Sequence, residues 1–139
     1  MSVETKLELN QGWQLCVIDN ARLSGEITRA ADLTADFIPA SVPGDWPLDF
    51  VRAEPYYQDN YLKIRDYETS HVFYSLRFHW AGEPRRTFFH FEGIDTVADI
   101  YLNGHKIGHA ENMFIPHVFA AEGLAQGENE LLVHIRPVA

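Results

Sequence analysis

Residues 88–108, FFHFEGIDTVADIYLNGHKIG, restrict this chain to a fold made of antiparallel strands. An apolar run at 88–91 meets a turn rich in Glu, Gly and Asp, and a second run then sets Ala98, Ile100 and Leu102 against Val97, Asp99 and Tyr101. Alternation of period two is the signature of a strand with two unlike faces. Asn103-Gly104 follows at once, and both residues accept the positive φ of a type I′ turn, so Lys106 and Ile107 should return antiparallel. The stretch reads as a central hairpin, the middle of a sheet.

A chain of 139 residues with 46% hydrophobic and 13% aromatic residues is too apolar for disorder and long enough to bury one core, so we expect a single domain over 1–139. No apolar run approaches the ~20 residues of a membrane span. The N-terminus, MSVETKLELNQGW, has no basic-then-apolar leader pattern, and the single cysteine, Cys16, has no internal partner for a disulfide. These features lead us to expect a cytoplasmic protein without a membrane partner. A net charge of −9, with eleven basic residues scattered along the chain, is a poor footprint for nucleic acid.

Strands are expected at 6–17, where Leu7, Leu9, Trp13, Leu15 and Val17 recur around Asn10-Gln11-Gly12, and at 72–80, where Tyr74, Leu76, Phe78 and Trp80 oppose Phe73, Ser75, Arg77 and His79 with one face buried. Trp13 should lie in the core. Residues 19–36 read mainly as loop with one possible helical turn, and Pro43-Gly44 as a change of direction before a short helix start at Asp45-Trp46-Pro47. A short strand should fall at 117–119. After a turn cluster at 126–129, Leu131, Val133 and Ile135 alternate in a last strand that Pro137 ends. Many short strands separated by turns, with no long amphipathic helix, predict an all-β antiparallel sandwich.

Catalytic signatures are lacking. His105 and His109 lie four apart on one strand, roughly 13 Å from end to end, too far to share a metal. The other histidines, among them His71 and His134, are expected at solvent-facing or half-buried strand positions. Cys16 has no local base, and Glu92, Asp95 and Asp99 sit where structural roles suffice. The segment that mixes aromatic and polar groups is different. Trp46, Tyr56, Tyr57 and Tyr61 lie near Asp45, Asp59 and Asn60, and aromatic faces beside directed hydroxyl partners are what a carbohydrate pocket needs. The same residues would equally cement a loop to a sheet.

The order of motifs resembles the N-terminal sugar-binding domain of glycoside hydrolase family 2, in its β-mannosidase branch. The motifs are Asn10-Gln11-Gly12-Trp13, Val42-Pro43-Gly44, Pro55-Tyr56-Tyr57-Gln58-Asp59-Asn60, Phe73-Tyr74, the run from Phe91-Glu92-Gly93 through Ile94-Asp95-Thr96 to Val97-Ala98, Tyr101-Leu102-Asn103-Gly104, Asn112-Met113-Phe114, and Gly127-Glu128-Asn129-Glu130-Leu131. The resemblance implies a jelly roll of the galactose-binding type, placed in full-length relatives before an immunoglobulin-like domain and a catalytic (β/α)₈ barrel.

It further implies that the catalytic glutamates belong to that barrel, so no residue here is expected to be catalytic, and neither cofactor nor metal is expected. The family's Phe-Gly-Trp-Asp-Trp-Gly-Pro segment is missing, and the chain reads as a truncated domain whose partners are the missing domains and, weakly or indirectly, a β-mannoside. Asn60, Asp59 and Tyr57 match the segment that lies towards the barrel opening and are the candidate pocket-rim residues. Trp46 joins them, although it stands where the family usually carries a smaller residue. The rival expectations are a docking module that binds no free sugar, a β-galactosidase- or β-glucuronidase-type parent, and a freestanding lectin.

Overall fold

The computed structural model describes residues 9, 11–19, 23, 25–33, 36–40, 70–82, 84, 87–91, 94, 97–111 and 116–137. Among them are the strands β1 (Gln14–Asp19), β2 (Ile38–Pro39), β3 (Ser70–Trp80), β4 (Phe88–Phe91), β5 (Ala98–Leu102), β6 (His105–Ala110), β7 (His117–Ala120) and β8 (Gly127–Ile135). Six form one sheet in the order β2-β1-β3-β8-β5-β6, and β4 pairs with β7 in a second. Every pairing is antiparallel. The expected all-β sandwich is therefore present.

Between the sheets lies the main core, in which Trp13, Leu76, Phe78 and Leu131 meet Phe89, Ile100, Leu102 and Val133. Trp13 is tied by its indole N–H to the Leu9 carbonyl at 2.6 Å and meets Tyr74 edge-on. Fully burying a side chain of this size contributes about 1.5–3 kcal/mol. A second cluster, of Cys16, Ile18, Ile27, Phe73, Tyr101 and Leu132, lies on the opposite face of the large sheet, with Leu23, Leu33 and Phe37 packed against it. Thus Leu23, Ile27 and Leu33, from the 19–36 segment expected to be mainly loop, pack together with Phe37 as a lid on that face. Its one regular piece is a 3₁₀ turn at Ala30–Asp32, closed by Asp32 Oδ2, which accepts the backbone N–H groups of Thr28 and Arg29 at 3.1 Å each.

That lid corrects one expectation, because β3 is buried on both faces over most of its length. Leu76 and Phe78 look into the main core, while His71, Phe73 and Ser75 are covered from the other side, and only Arg77 and His79 emerge. Residues 88–108 are corrected as well. Phe88–Phe91 does not pair with the following strand but joins β7 in the opposite sheet, so the chain changes sheets between β4 and β5. The centre of the large sheet is the β3–β8 pair, and β6 is its edge. The Asn103-Gly104 turn is as expected, with φ of 51° and 87°.

The cluster at 126–129 is not a free turn, since Gly127–Asn129 already pair with Phe78–Trp80 of β3. The Asn129 side chain makes this possible by completing the bend itself. Its amide donates to the carbonyls of Ala125 and Gly127 and accepts from the Ala125 N–H and from Asn103 Nδ2. Asn103 in turn accepts the Glu130 N–H at 2.8 Å and donates to the Gly123 carbonyl at 3.0 Å. Two turns are thereby clasped together.

Close packing sets one strict demand on β6. Any Cβ on Gly108 would overlap the Phe119 ring of β7, which occupies that space. Gly108→Ala should therefore lower the unfolding free energy by about 1–3 kcal/mol, the usual cost of overpacking, as read from urea denaturation. Unchanged stability would mean that Phe119 does not occupy this position.

Candidate functional site

The residues chosen from the sequence for sugar or rim contact, Trp46, Tyr57, Asp59 and Asn60, lie outside the described residues, as do Asp45, Tyr56 and Tyr61. The described residues present a groove, an apolar face and a polar row.

The groove, of about 300 Å³, runs between the segment entering β4 and the turn leaving β7, and Thr87, Phe88, Glu122 and Leu124 line it. Its walls are held by backbone bonds from Ala121 N–H to the Thr87 carbonyl at 2.9 Å and from Leu124 N–H to the Ala121 carbonyl at 3.2 Å. Asn103 holds the Gly123 carbonyl from behind. Phe88 is 53% exposed and, with Val118 at 52%, faces outward from the small sheet. The sequence reading takes 88–91 as an apolar run of the central hairpin and singles out neither Phe88 nor Val118.

The polar row crosses the outer face of the large sheet. Phe73 of β3, His134 of β8, Asp99 of β5 and His109 of β6 stand in register on adjacent strands. Asp99 is 2% exposed, yet its Oδ1 meets His109 Nδ1 at 2.6 Å and Lys106 Nζ at 3.0 Å, while its Oδ2 accepts Arg136 Nη2 at 2.6 Å and Nε at 3.0 Å. Burial alone would raise its pKa, but the hydrogen bonds from His109, Arg136 and Lys106 outweigh it and hold the carboxyl far below the usual range. Lys106 and His109 are three apart and would point to opposite faces of a regular strand. The register shift beside Ile100 and Tyr101, which pairs Ile100 with Gly108 and Tyr101 with Lys106, turns both towards Asp99. The His109 pKa is raised, first by its bond to Glu111 at 3.0 Å and then by Asp99.

His71 and His134 depart from the expectation of exposed or half-exposed histidines. They are 6% and 4% exposed and share a hydrogen bond between Nδ1 of His71 and Nε2 of His134 at 2.7 Å. His134 also stacks on Phe73 with ring centres 4.2 Å apart. Each ring lies against the other and, for His134, against Phe73, and no local pattern in either strand announces this burial. By contrast His79 and His90 are exposed and His117 is half-buried, as expected.

The two buried carboxylates among the described residues already have structural partners. Asp99 serves its three cations, and Glu130 Oε1 accepts the Ala30 N–H at 3.1 Å. Asp99 therefore behaves as a structural group. Asp99→Asn should cost about 1.5–3 kcal/mol, the range for charge-assisted hydrogen bonds. The sign with pH follows from the two shifts. Stability due to the lowered Asp99 pKa is present above its unfolded value of 3.8 and is lost as the pH falls below it. That due to the raised His109 pKa is present below 6.5 and is lost as the pH rises through its folded value. Denaturation across pH should show the gap between the two proteins widest at about pH 4–6, and a gap independent of pH would refute this assignment.

The geometry agrees with what this chain is similar to. The profile described as glycosyl hydrolase 2 galactose-binding domain-like matches residues 23–139. A probable beta-mannosidase of Caenorhabditis elegans is 29% identical over 103 residues, which are 69% of this chain and 11% of that protein. The crystal structure of the beta-D-mannosidase from Dictyoglomus thermophilum superposes with a TM-score of 0.72 at 30% identity, covering 94% of this chain and 15% of that one. The beta-glucuronidase of an uncultured Clostridium species superposes at 0.65 with 21% identity, over 98% of this chain and 23% of that one, a likeness of fold. The chain thus spans a small part of the length of the proteins it matches. With its antiparallel sandwich and its clasped Asn103 and Asn129 turns, it belongs to the galactose-binding-like domain family of glycosyl hydrolase family 2.

Proposed function

We propose that this chain is a noncatalytic carbohydrate-binding or scaffolding domain of a glycoside hydrolase whose full-length form cleaves β-mannosidic bonds. The likeness to the Dictyoglomus thermophilum beta-D-mannosidase, at 30% identity over 94% of this chain, carries the reading. The structural employment of Asp99 and Glu130 supports the noncatalytic part, because a retaining hydrolase needs two carboxyl groups about 5–5.5 Å apart and free to act. Trp46, Tyr57, Asp59 and Asn60 are the residues proposed for the rim of the sugar pocket. Their aromatic and amide groups suit the C–H faces and hydroxyls of a pyranoside.

A second reading is favoured by one observation. Phe88 and Val118 stand more than half exposed on the small sheet, and exposed apolar surface of this kind suits contact with another domain better than contact with water. In that case the chain docks the rest of a longer polypeptide and binds no free sugar.

Incubation with aryl β-mannosides should give no turnover above buffer, and hydrolysis that disappears with one carboxylate substitution would sink the noncatalytic reading. Titration with mannose and methyl β-mannoside, followed by amide chemical shifts, should move Tyr57 and Asn60. Silence at tens of millimolar ligand would leave the docking reading in its place.

A further inference from the structure

The Asn103-Gly104 turn has no part in the sugar-binding reading, yet it carries a reactive pair. Asn103 is the only asparagine of this chain that a glycine follows. Glycine has no Cβ to screen its own nitrogen, so the main chain can close onto the preceding side-chain amide. We propose that Asn103 is a self-modification site kept silent by the fold: clasped, its amide is inert, and once unclasped it cyclises onto Gly104 and is converted to aspartate or isoaspartate.

The reaction needs no reagent but water. The Gly104 nitrogen attacks Asn103 Cγ, a Cγ–N bond forms and the Cγ–Nδ2 bond breaks. Ammonia leaves with the proton that Gly104 gives up, and a cyclic imide remains. Water then opens either carbonyl of that ring. One opening gives aspartate, and the other routes the main chain through the side-chain carbons as isoaspartate.

Contacts on both reacting groups oppose the first bond. The attack comes onto the face of the amide, so the amide must turn across the main chain. Its plane is fixed by Nδ2, which donates to the Gly123 carbonyl at 3.0 Å and to Asn129 Oδ1 at 2.9 Å, and by Oδ1, which accepts the Glu130 N–H at 2.8 Å. The attacking nitrogen belongs to the same planar peptide unit as the Asn103 carbonyl. Arg29 Nη2, on the turn that opens the lid's short helix, donates to that carbonyl at 2.5 Å. The Asn103 N–H donates in its turn to the Glu130 carbonyl at 2.9 Å. Three hydrogen bonds of ordinary net strength on the amide favour its closed form by roughly tenfold to a thousandfold.

The product cannot rebuild the clasp. Ionised aspartate has acceptors only, so the Gly123 carbonyl and Asn129 Oδ1 would each face an oxygen. Isoaspartate lengthens the main chain by a methylene inside the turn that sets Leu102 opposite His105. Modification therefore runs one way and separates the β5–β6 turn from the 123–130 segment.

Peptide mass analysis of the full chain, incubated at mildly alkaline pH with and without urea, tests the site. In urea Asn103 should be converted faster than the other asparagines, and without urea at least about tenfold more slowly than in it. Arg29→Ala changes an exposed side chain and releases the peptide unit of the attacking nitrogen. It should speed conversion in the folded chain by roughly two- to tenfold. Asn103→Asp reproduces one product directly and should lower the urea midpoint or prevent folding. Equal conversion with and without urea, no preference for Asn103 in urea, an unchanged rate in folded Arg29→Ala, or an Asn103→Asp chain as stable as the original would each overturn the proposal.

Discussion

The pairing of β3 with β8 is the interaction on which the rest of this structure depends. Nine residues of each strand stand in register, from Val72 opposite Ile135 to Trp80 opposite Gly127, and the pair occupies the centre of the large sheet. Both faces are buried for most of its length, with the main core on one side and a cluster that includes Leu23, Ile27, Leu33 and Phe37 on the other. Covering the second face removes water from side chains that a simple two-layer sandwich would leave wet. Every polar group in that layer must then find a protein partner. The His71–His134 bond, the three-cation setting of Asp99 and the Glu130–Ala30 contact are the result.

The same constraint explains why the family motifs in this part of the chain carry so little chemistry. Asn103 and Asn129 lie in two separate motifs, yet their side chains bond to each other at 2.9 Å and between them satisfy five backbone groups between Gly123 and Glu130. An amide offers two donors and two acceptor sites, which suits a junction of two turns better than a hydroxyl or a carboxylate would. Glycine at 104 completes the junction, because its φ is 87° and the Arg29 guanidinium lies where a side chain would start. These are structural residues on a rigid frame. Directed contact with sugar is proposed for the Trp46, Tyr57, Asp59 and Asn60 segment instead.

Local pattern was informative wherever the decisive interaction was local. The Asn103-Gly104 turn, the alternation of β3, the short strand at 117 and the end of β8 before Pro137 were all legible, since turn chemistry and period-two burial act over a few residues. Legibility failed where distant segments decided the outcome. Phe88–Phe91 has the pattern of a hairpin strand but is claimed by β7, and its exposed Phe88 followed from that choice of sheet. His71 and His134 look like outward strand positions, yet both are buried and bonded to each other across two strands. No spacing rule brings Lys106 and His109 to one carboxylate, because a bulge must first change their facing.

The amino-acid sequence by itself determined that this chain is an antiparallel β-sandwich, where its tightest turn lies, and to which family it belongs. Each rests on a preference carried by neighbouring residues, or on motifs whose order survives without coordinates. Only the tertiary structure decided which strands share a sheet, which face of β3 stays dry, and that Asp99 and the histidine pair form one polar row. Strand partnership and burial are set by contacts between residues far apart in the chain, such as Phe73 with His134 and Asp99 with Arg136. A one-residue change of register or an added lid reverses a side chain's surroundings without altering a single local preference.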